Sequence, residues 1–356
     1  MALHSLCGYI RKLILLGLGI GASVFFIWVA FFTPFPVYVL DQFNLRPFFL
    51  PNIICKGCNN FTYDYIIENK DACKDNEVFL LLIVASYHAN VNARQAIRQT
   101  WGGNRTYKGL HIKTIFAFGV HEDKNFQRQL RYEQDMYGDV IQGNFSDFYR
   151  SLTNKTMMAL NWVTKFCPNV NYVLKTDDDA FNMPERFIDF LLFVPAKHFI
   201  GGYCFTVMPD RWESSKFYIP YEYYPDQYYP TYCSGPGYIL SNSAVHQLVS
   251  VALDTRFVHM EDVFVSGLCR VAAGIQYTQI EGVVMSRDDM TRCALATWAK
   301  NSHNIVPEQQ LAIWQERVMK IDRDKDCAGR DMVVYVIIGL GLLIWSRVMY
   351  KFIKQR

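Results

Sequence analysis

The sequence lacks a strong charge of one sign. Its 356 residues include 36 lysines and arginines against 33 aspartates and glutamates, so the formal net charge at pH 7 is only +3. Domains that bind nucleic acids, or strongly acidic surfaces, usually carry a marked excess of basic residues. The near-balance of charge therefore argues against nucleic acid as a partner.

The sequence also lacks a second closely spaced pair of cysteines. Cys55 and Cys58 enclose two residues, but no other Cys-x-x-Cys follows among the ten cysteines. Because a structural zinc site needs four ligands, we reject zinc and expect disulfides, which persist in oxidising compartments. Nine cysteines follow residue 32, so at least one is free or pairs between chains, as it would in a homo-oligomer.

A third absence is that of a small-x-small cleavage site after the first apolar segment. Residues 13–32 form an uncharged run of twenty residues preceded by Arg11 and Lys12. As a helix this run would be about 30 Å long, enough to span a bilayer. Basic residues on its N-terminal side place residues 1–12 in the cytosol and the residues after the span in the lumen. We expect an uncleaved membrane anchor rather than a signal peptide.

The C-terminal end repeats this pattern in a shorter form. Fifteen uncharged residues, 332–346, precede Arg347, and snorkelling of Arg347 would extend the run to residue 350. Residues 351–356 form a basic tail that fits the cytosol. The sequence favours a second span over residues 332–350, with a buried or interfacial helix as the alternative.

The residues between the two apolar segments divide into a stem and a folded domain. Residues 33–75 contain four prolines and no clear period, which is typical of a stem. Residues 76–325 are long enough to bury a sizeable core. Four Asn-x-Ser/Thr sequons, which have meaning only in the secretory pathway, lie at Asn60, Asn104, Asn144 and Asn154.

The first half of this domain alternates apolar strands with amphipathic helices. Val78–Ser86 is a continuous apolar run, which is typical of a parallel strand covered on both faces. A helix carrying Arg94 and Arg98 follows it. Further strands are expected over 112–119, 139–142 and 172–174, and further helices over 124–137 and 148–166. This pattern predicts a doubly wound α/β fold, in which ligands bind beyond the carboxyl ends of the strands.

Three consecutive aspartates follow the predicted strand 172–174. Side chains alternate along an extended backbone, so Asp177 and Asp179 can point the same way while Asp178 points elsewhere. Neighbouring carboxylates at the end of a buried strand suit a hard divalent cation that carries a diphosphate. The alternative is a solvated acidic turn that caps a helix.

Beyond residue 181 the chain becomes dense in prolines, glycines and aromatic rings. This composition predicts loops and short strands, with rings able to stack on the C–H face of a sugar; examples are Trp212, Tyr232 and Tyr238. An aromatic core under loops is the alternative for most of the tyrosines. Glu261 and Asp262 then precede a predicted helix, where one can cap the helix and leave the other free for chemistry.

Together these stretches resemble the β-1,3-galactosyltransferase family of Golgi glycosyltransferases, which also holds β-1,3-N-acetylglucosaminyltransferases. They occur in the family's order and cover about residues 78–318. The matching stretches are Ala93 to Gly102, Asn161-Trp162 with Cys167-Pro168, Lys175 to Asp179, Tyr229 to Tyr238, and Glu261 to Val263.

The resemblance implies a GT-A-like fold with a mostly parallel sheet, and makes residues 76–325 a luminal catalytic domain of the Golgi membrane. It implies a UDP-sugar donor, Mn²⁺ as cofactor, and inverting transfer of a hexose, most simply galactose. The acceptor would be a sugar hydroxyl of a glycan on a glycoprotein or glycolipid, joined in β-1,3 linkage.

The resemblance also implies roles for single residues. Asp177 and Asp179 would hold the metal, and His303 would complete its shell through the family's C-terminal element. Asp262 would accept the proton of the acceptor hydroxyl, while Glu261 would bind an acceptor hydroxyl. The residues implied for the UDP-sugar are Arg94, Arg98, Lys175 and Asp178. Since Arg94 and Arg98 are four apart on one helix face, a surface helix paired with acids is their alternative.

Two features depart from the family. Many of its galactosyltransferases have a His-Trp pair after the Glu-Asp-Val motif, whereas residues 283–290 here read VVMSRDDM. This leaves N-acetylglucosamine and N-acetylgalactosamine as alternative sugars. The second departure is the apolar tail at 332–346. Outside the transferases, the alternatives are a non-catalytic sugar-binding protein of the same fold and a metal-dependent phosphoesterase.

Overall fold

The computed structural model describes residues 53–74, 77–194, 196–283 and 299–318. Both predicted membrane spans, the basic tail and residues 33–52 of the predicted stem lie outside these ranges. Within them, no helix is both long and apolar enough to cross a membrane. What the structure describes is therefore the end of the predicted stem and most of the predicted folded domain.

Among the described residues, nine strands form a central sheet and two more form a small separate sheet. The central strands are β1 Tyr65–Ile67, β2 Val78–Ala85, β3 Arg105–Tyr107, β4 Leu110–Val120, β5 Val140–Ser146, β6 Tyr172–Asp177, β8 Ile200–Phe205, β9 Tyr232–Ser241 and β10 Tyr277–Gln279. The small sheet pairs β7 Phe181–Asn182 with β11 Asn301–Ser302 in antiparallel fashion.

Helices cover both faces of the central sheet. Their bounds are α1 Val91–Gln99, α2 Lys124–Tyr137, α3 Leu152–Phe166, α4 Pro184–Leu191, α5 Asn242–Ala252, α6 Val263–Ala272 and α7 Pro307–Val318. A 3₁₀ turn over Tyr149–Ser151 leads into α3, and α6 starts with a π-helical stretch over Val263–Cys269.

The strand order places the crevice of the sheet between β2 and β6. Across the sheet the order is β1-β5-β4-β2-β6-β9-β8-β10, and β5, β4, β2 and β6 run parallel to one another. From β2 the chain builds β4 and β5 on one side, and then crosses to the other side to form β6. Open α/β sheets bind ligands at such a switch point, beyond the carboxyl ends of the strands.

β2 is buried on both faces, as its apolar run predicts. Leu81 and Ile83 pack into a core that includes residues of α3, whereas Leu80, Leu82 and Val84 pack into a second core that includes residues of α1. Full burial of each such side chain contributes roughly 1.5–3 kcal/mol. Packing of alternate side chains into two cores holds β2 at the centre of the fold. The predicted α/β class with a mostly parallel sheet is confirmed.

The second half of the domain is more regular than the sequence predicts. Residues 206–231 are loops, as predicted, but the ten-residue strand β9 follows them and lies between β6 and β8 despite Pro236. Pairing of β9 with β8 jumps from Gly202↔Tyr238 to Cys204↔Cys233, so the segment around Pro236 bulges away from β8. Proline, which lacks an N–H, is tolerated at bulges because no ladder bond is lost there.

Three disulfides confirm the prediction of disulfide-bonded cysteines. They join Cys55 to Cys58, Cys73 to Cys167 and Cys204 to Cys233, while Cys269 is free and buried. The Cys73–Cys167 bond spans 94 residues, and closing a loop of about that length stabilises a fold by roughly 4–5 kcal/mol in the chain-entropy model. It ties the end of the predicted stem to the C-terminus of α3.

Candidate active site

The three residues predicted to share a metal lie together. β6 ends at Asp177, and pairing of β7 with β11 carries His303 back beside Asp179, where Nε2 of the histidine lies 3.3 Å from Oδ2 of the aspartate. One ligand atom from each of Asp177, Asp179 and His303 lies within 4.8 Å of the other two. Two carboxylates and one imidazole at this spacing fit a divalent cation.

The backbone around His303 is fixed by the same turn. Asn304 adopts a positive φ of 60°, which asparagine tolerates better than most residues, and the Ile305 N–H donates to the carbonyl of Asp179 at 2.8 Å. Burial lowers the pKa of His303, but the hydrogen bond and charge of Asp179 outweigh it and raise the pKa above its ordinary value. The Asp179 side chain is 48% exposed, so this group opens to solvent.

Asp178 points away from this group and into the switch point. Its Oδ2 accepts hydrogen bonds from Ser86 Oγ at 2.7 Å, the Tyr87 N–H at 3.3 Å and Asn90 Nδ2 at 3.0 Å. Burial raises the pKa of Asp178, and these hydrogen bonds partly offset the effect. Asp178 thus joins β6 to the end of β2, and this placement gives no support to the predicted UDP-sugar contact.

Lys175 is buried and bonded within the protein. Its Nζ lies 2.8 Å from Asp177 Oδ1, 2.8 Å from Glu261 Oε2 and 3.0 Å from the carbonyl of Gly235. Burial lowers the pKa of Lys175, but Asp177 and Glu261 raise it above its ordinary value. Because an ammonium has three N–H groups, all of them are used. This placement corrects the predicted UDP-sugar contact: Lys175 links the metal side of the site to Glu261.

Glu261 and Tyr238 form the buried floor of the site. The Tyr238 hydroxyl donates to Glu261 Oε1, and Lys175 donates to Oε2. Tyr238 is 0% exposed, so the prediction that it stacks on a sugar is wrong. Both oxygens of Glu261 are engaged inside the protein, which favours a structural role over the predicted contact with an acceptor hydroxyl.

Asp262 is half-buried at the start of α6. Its Oδ1 accepts from the Val263 N–H at 2.9 Å and its Oδ2 from the Gly235 N–H at 3.2 Å. Burial, followed by the charge of Glu261, raises the pKa of Asp262 to about 6. The residue that caps the helix is therefore also the acid with a pKa suited to a general base near neutral pH. The sequence pattern predicts that one of the two acids caps the helix and the other is free for chemistry, whereas Asp262 combines both roles.

Arg94 and Arg98 face inward from α1. Arg94 donates to Glu133 through Nε at 2.9 Å and through a terminal nitrogen at 2.6 Å, and Arg98 donates to Asp139 through Nε at 2.8 Å. Arg98 also donates to Glu133 at 2.9 Å. Arg94 and Arg98 thus pair with acids, as the alternative held, but they do so in the protein interior rather than on a surface helix. These contacts give no support to the predicted diphosphate contact.

Comparison with known proteins identifies the family. Residues 92–281 match the family model for galactosyltransferases. Human and mouse beta-1,3-galactosyltransferase 1 are each 34% identical to this chain over 278 residues, which is 77% of this chain and 85% of theirs. The chain belongs to the galactosyltransferase family. Human beta-1,3-galactosyltransferase 2 is 38% identical over 217 residues, covering 59% of this chain and 51% of that protein.

Membership in the galactosyltransferase family makes this chain a glycosyltransferase and confirms the resemblance drawn from its motifs. Among solved structures, that of the bifunctional glycosyltransferase WbbM in its apo form aligns with a TM-score of 0.32 and 13% identity, covering 58% of this chain and 39% of that one.

The rings predicted to contact the acceptor of this galactosyltransferase-family chain have different environments. Trp212 is 78% exposed. Tyr232 is buried, and its ring centroid lies 4.7 Å from that of Phe205, so the prediction that Tyr232 stacks on a sugar is wrong. Tyr232 and Tyr238 are core residues, as the alternative reading held for most tyrosines, but they lie on strand β9.

The four sequons of this family member also differ in access. Asn60, Asn104 and Asn144 are exposed. Asn154 lies inside α3 and is followed by Lys155 and Thr156, both buried. An N-glycan needs an accessible sequon, so the structure favours the first three sites and disfavours Asn154.

Tyr149 is a further residue near the acids of the site, and its motif gives no sign of this in the sequence. Burial of its hydroxyl raises the pKa of Tyr149, and the charges of Asp262 and Asp177 raise it further. Tyr149 belongs to the 3₁₀ turn before α3, which the sequence predicted only as the start of a helix. No local pattern singles out this tyrosine, because its neighbours in the site come from distant segments.

Proposed function

We propose that this glycosyltransferase moves a hexose, most simply galactose, from a UDP-sugar to a sugar hydroxyl in β-1,3 linkage with inversion. The acceptor would be a glycan on a glycoprotein or glycolipid. The observation that carries the proposal is the connection of Asp262 to the metal-binding group. The Gly235 N–H donates to Asp262 and its carbonyl accepts from Lys175, which also pairs with Asp177.

Asp177, Asp179 and His303 would hold the cation, for which we propose Mn²⁺. When bound, the cation would neutralise negative charge that develops on the departing diphosphate. Support for it comes from the oxygen-rich ligand set and the 4.8 Å spacing of the ligand atoms. Lys175 would keep Asp177 oriented from below, since the two groups are 2.8 Å apart.

Asp262 would act as the general base. In an inverting transfer, the acceptor hydroxyl attacks the anomeric carbon from the face opposite the leaving group and loses its proton as the bond forms. A carboxylate with a pKa of about 6 is ionised at neutral pH and can take that proton. The hydrogen bonds from Val263 and Gly235 would aim it at the acceptor.

We further propose that the chain is anchored in the Golgi membrane through residues 13–32, with residues 33–75 as a stem and residues 76–325 in the lumen. A second span over 332–350 would return the tail to the cytosol. The three disulfides support an oxidising compartment. The exposed sequons at Asn60, Asn104 and Asn144 fit the same location.

A donor screen with the full chain in detergent tests the proposed reaction. UDP-galactose, UDP-N-acetylglucosamine and UDP-N-acetylgalactosamine are each offered with oligosaccharide acceptors, and UDP release is measured with Mn²⁺ and after chelation. We expect acceptor-dependent release from UDP-galactose that chelation stops and Mn²⁺ restores, with a β-1,3 product by NMR. Transfer of an N-acetylhexosamine instead would correct the donor alone. UDP release without a glycan product would contradict the proposed transfer.

A further inference from the structure

Because Tyr232 and Tyr238 are buried, other residues of this glycosyltransferase must contact the acceptor. Two exposed rings lie on separate segments: Tyr149 in the turn before α3 and Phe217 in the aromatic segment between β8 and β9. Each is 45% exposed. An aromatic ring that stays open to solvent beside an active site is available to a ligand.

A single cation connects the two rings. Nζ of Lys216 lies 5.4 Å from the ring centroid of Tyr149 and 4.8 Å from that of Phe217. Cation–π contacts within about 6 Å are attractive. Lys216 therefore holds the aromatic segment against the turn before α3, and its ammonium, which has three N–H groups, can also donate to a ligand.

The turn that carries Tyr149 is fixed to the segment that carries the base. Ser151 Oγ accepts from the Phe148 N–H at 2.9 Å and donates to the Phe148 carbonyl at 2.7 Å. At the start of α3, Thr153 Oγ1 contacts the carbonyls of Val258 at 3.0 Å and His259 at 2.9 Å. The segment that leads into Glu261 and Asp262 is thus tied to the start of α3, four residues after Tyr149.

The electrostatics of Tyr149 agree with this placement. Burial raises the pKa of its hydroxyl, and the charges of Asp262 and Asp177 raise it further. Because its ring is partly open to solvent, Tyr149 can be reached by a ligand that also reaches Asp262.

We propose that Tyr149, Phe217 and Lys216 form the binding platform for the acceptor pyranose. The proposal rests on the proposed function. A pyranose has an apolar C–H face that stacks on aromatic rings and hydroxyls that accept hydrogen bonds from an ammonium. A pyranose bound there would present its attacking hydroxyl to Asp262. The ligand class is therefore a carbohydrate acceptor rather than the donor nucleotide.

The test compares Tyr149→Ala with Tyr149→Phe and with Tyr132→Ala, all in the full chain. Tyr132 is a matched control, because it is 63% exposed and lies on α2. A free trisaccharide serves as acceptor, so that no lipid or peptide contributes to binding. Two rates are measured with Mn²⁺: transfer to the trisaccharide and slow hydrolysis of the UDP-sugar without acceptor.

We expect Tyr149→Ala to raise the acceptor KM at least about tenfold, since an aromatic ring contributes roughly that much through area and stacking. Hydrolysis of the donor alone should fall less than transfer does. Tyr149→Phe keeps the ring and should keep most of the affinity, and Tyr132→Ala should match the wild type.

Two results would overturn the platform. An unchanged acceptor KM in Tyr149→Ala shows that the ring does not bind the acceptor. Equal losses of transfer and of donor hydrolysis place Tyr149 in the donor site. If the wild-type chain shows no acceptor-dependent UDP release with any donor, the proposed function is wrong and the platform falls with it.

Discussion

Two groups of acids in this domain differ in how their charges are balanced. In the first, which we call the closed group, Glu133 and Asp139 pair with Arg94 and Arg98, and all four side chains are largely buried. Two cations match two anions, and the hydrogen bonds are short. A buried network balanced in this way leaves a ligand little charge to neutralise.

The second, or open, group consists of Asp177, Asp179 and His303. Lys175 contacts Asp177 but also Glu261, so one cation serves two carboxylates, and Asp179 faces solvent with only His303 beside it in the described structure. This arrangement has an excess of negative charge that a metal ion can satisfy. The comparison shows that exposure and charge imbalance, more than the number of acids, mark the ligand site.

The largest effect is expected in the open group. Asp179→Ala should reduce transfer roughly 1,000-fold or more, because losing a metal carboxylate removes several kcal/mol of charge stabilisation. Stability should change little, since the side chain is exposed. Turnover is measured across a Mn²⁺ titration, with Asp189→Ala, which removes a surface carboxylate paired with Lys108 at 2.7 Å, as the control. Near-normal turnover at saturating Mn²⁺ would show that Asp179 does not hold the cofactor.

The first half of the fold could be predicted because local signals agree with tertiary structure there. Val78–Ala85 is apolar throughout and lies buried in the sheet centre. Asp123 caps α2 by accepting from the Asn125 N–H, and Gly138 ends that helix with a φ of 63°. Strand β9 could not be predicted, because Pro236 normally excludes a central strand and only the bulge against β8 admits it.

In the site, too, residues within short motifs could be predicted from the sequence, whereas contacts between distant segments could not. Asp177, Asp179 and Asp262 could be found because their motifs are short stretches of sequence. The burial of Lys175 and Tyr238 could not, since it depends on Glu261, which comes from another segment. In the sequence alone, a lysine beside aspartates suggests contact with a phosphate. In the folded protein, Lys175 instead bonds to groups of the protein itself.

The second prediction concerns the acid that links the open group to the acceptor. Asp262→Asn should lower kcat about 100- to 10,000-fold, the usual contribution of a general base, with little change in UDP binding. Asparagine still caps α6 through its oxygen, so stability should fall only slightly. Because the pKa of Asp262 is about 6, kcat/KM of the wild type should fall about tenfold per pH unit below that value as the base becomes protonated. The measurement is the pH–rate profile of both proteins.

Glu261→Gln is the companion variant for this prediction. Glu261 is bonded to Lys175 and Tyr238 inside the protein, so this change should lower stability and should leave the acidic limb of the pH profile in place. If the acidic limb of the pH–rate profile is lost in Glu261→Gln and is retained in Asp262→Asn, the base is Glu261.

The smallest effect on catalysis is expected in the closed group, where the change should appear in stability. Glu133 accepts from Arg94 and Arg98 at 2.6 Å and 2.9 Å, and Glu133→Gln leaves one buried positive charge without a match. Breaking a buried ion pair typically costs about 3–5 kcal/mol. The free energy of unfolding is measured with denaturant, and kcat is measured per folded molecule and should stay within about threefold of the wild type.

The pH dependence of that stability sharpens the test. Burial raises the pKa of Glu133, but its bonds to Arg94 and Arg98 outweigh this and lower it overall. Glu133 therefore contributes fully to the free energy of unfolding at pH values above its ordinary pKa. This contribution is lost as the pH falls through the lowered pKa of the folded state. The difference in stability between the wild type and Glu133→Gln should then narrow in acid. Asp189→Asn, which removes a solvent-screened surface pair, should show a small difference at every pH. If Glu133→Gln instead keeps its stability and raises the KM for UDP-sugar, the two arginines act on the donor and the closed group belongs to the site.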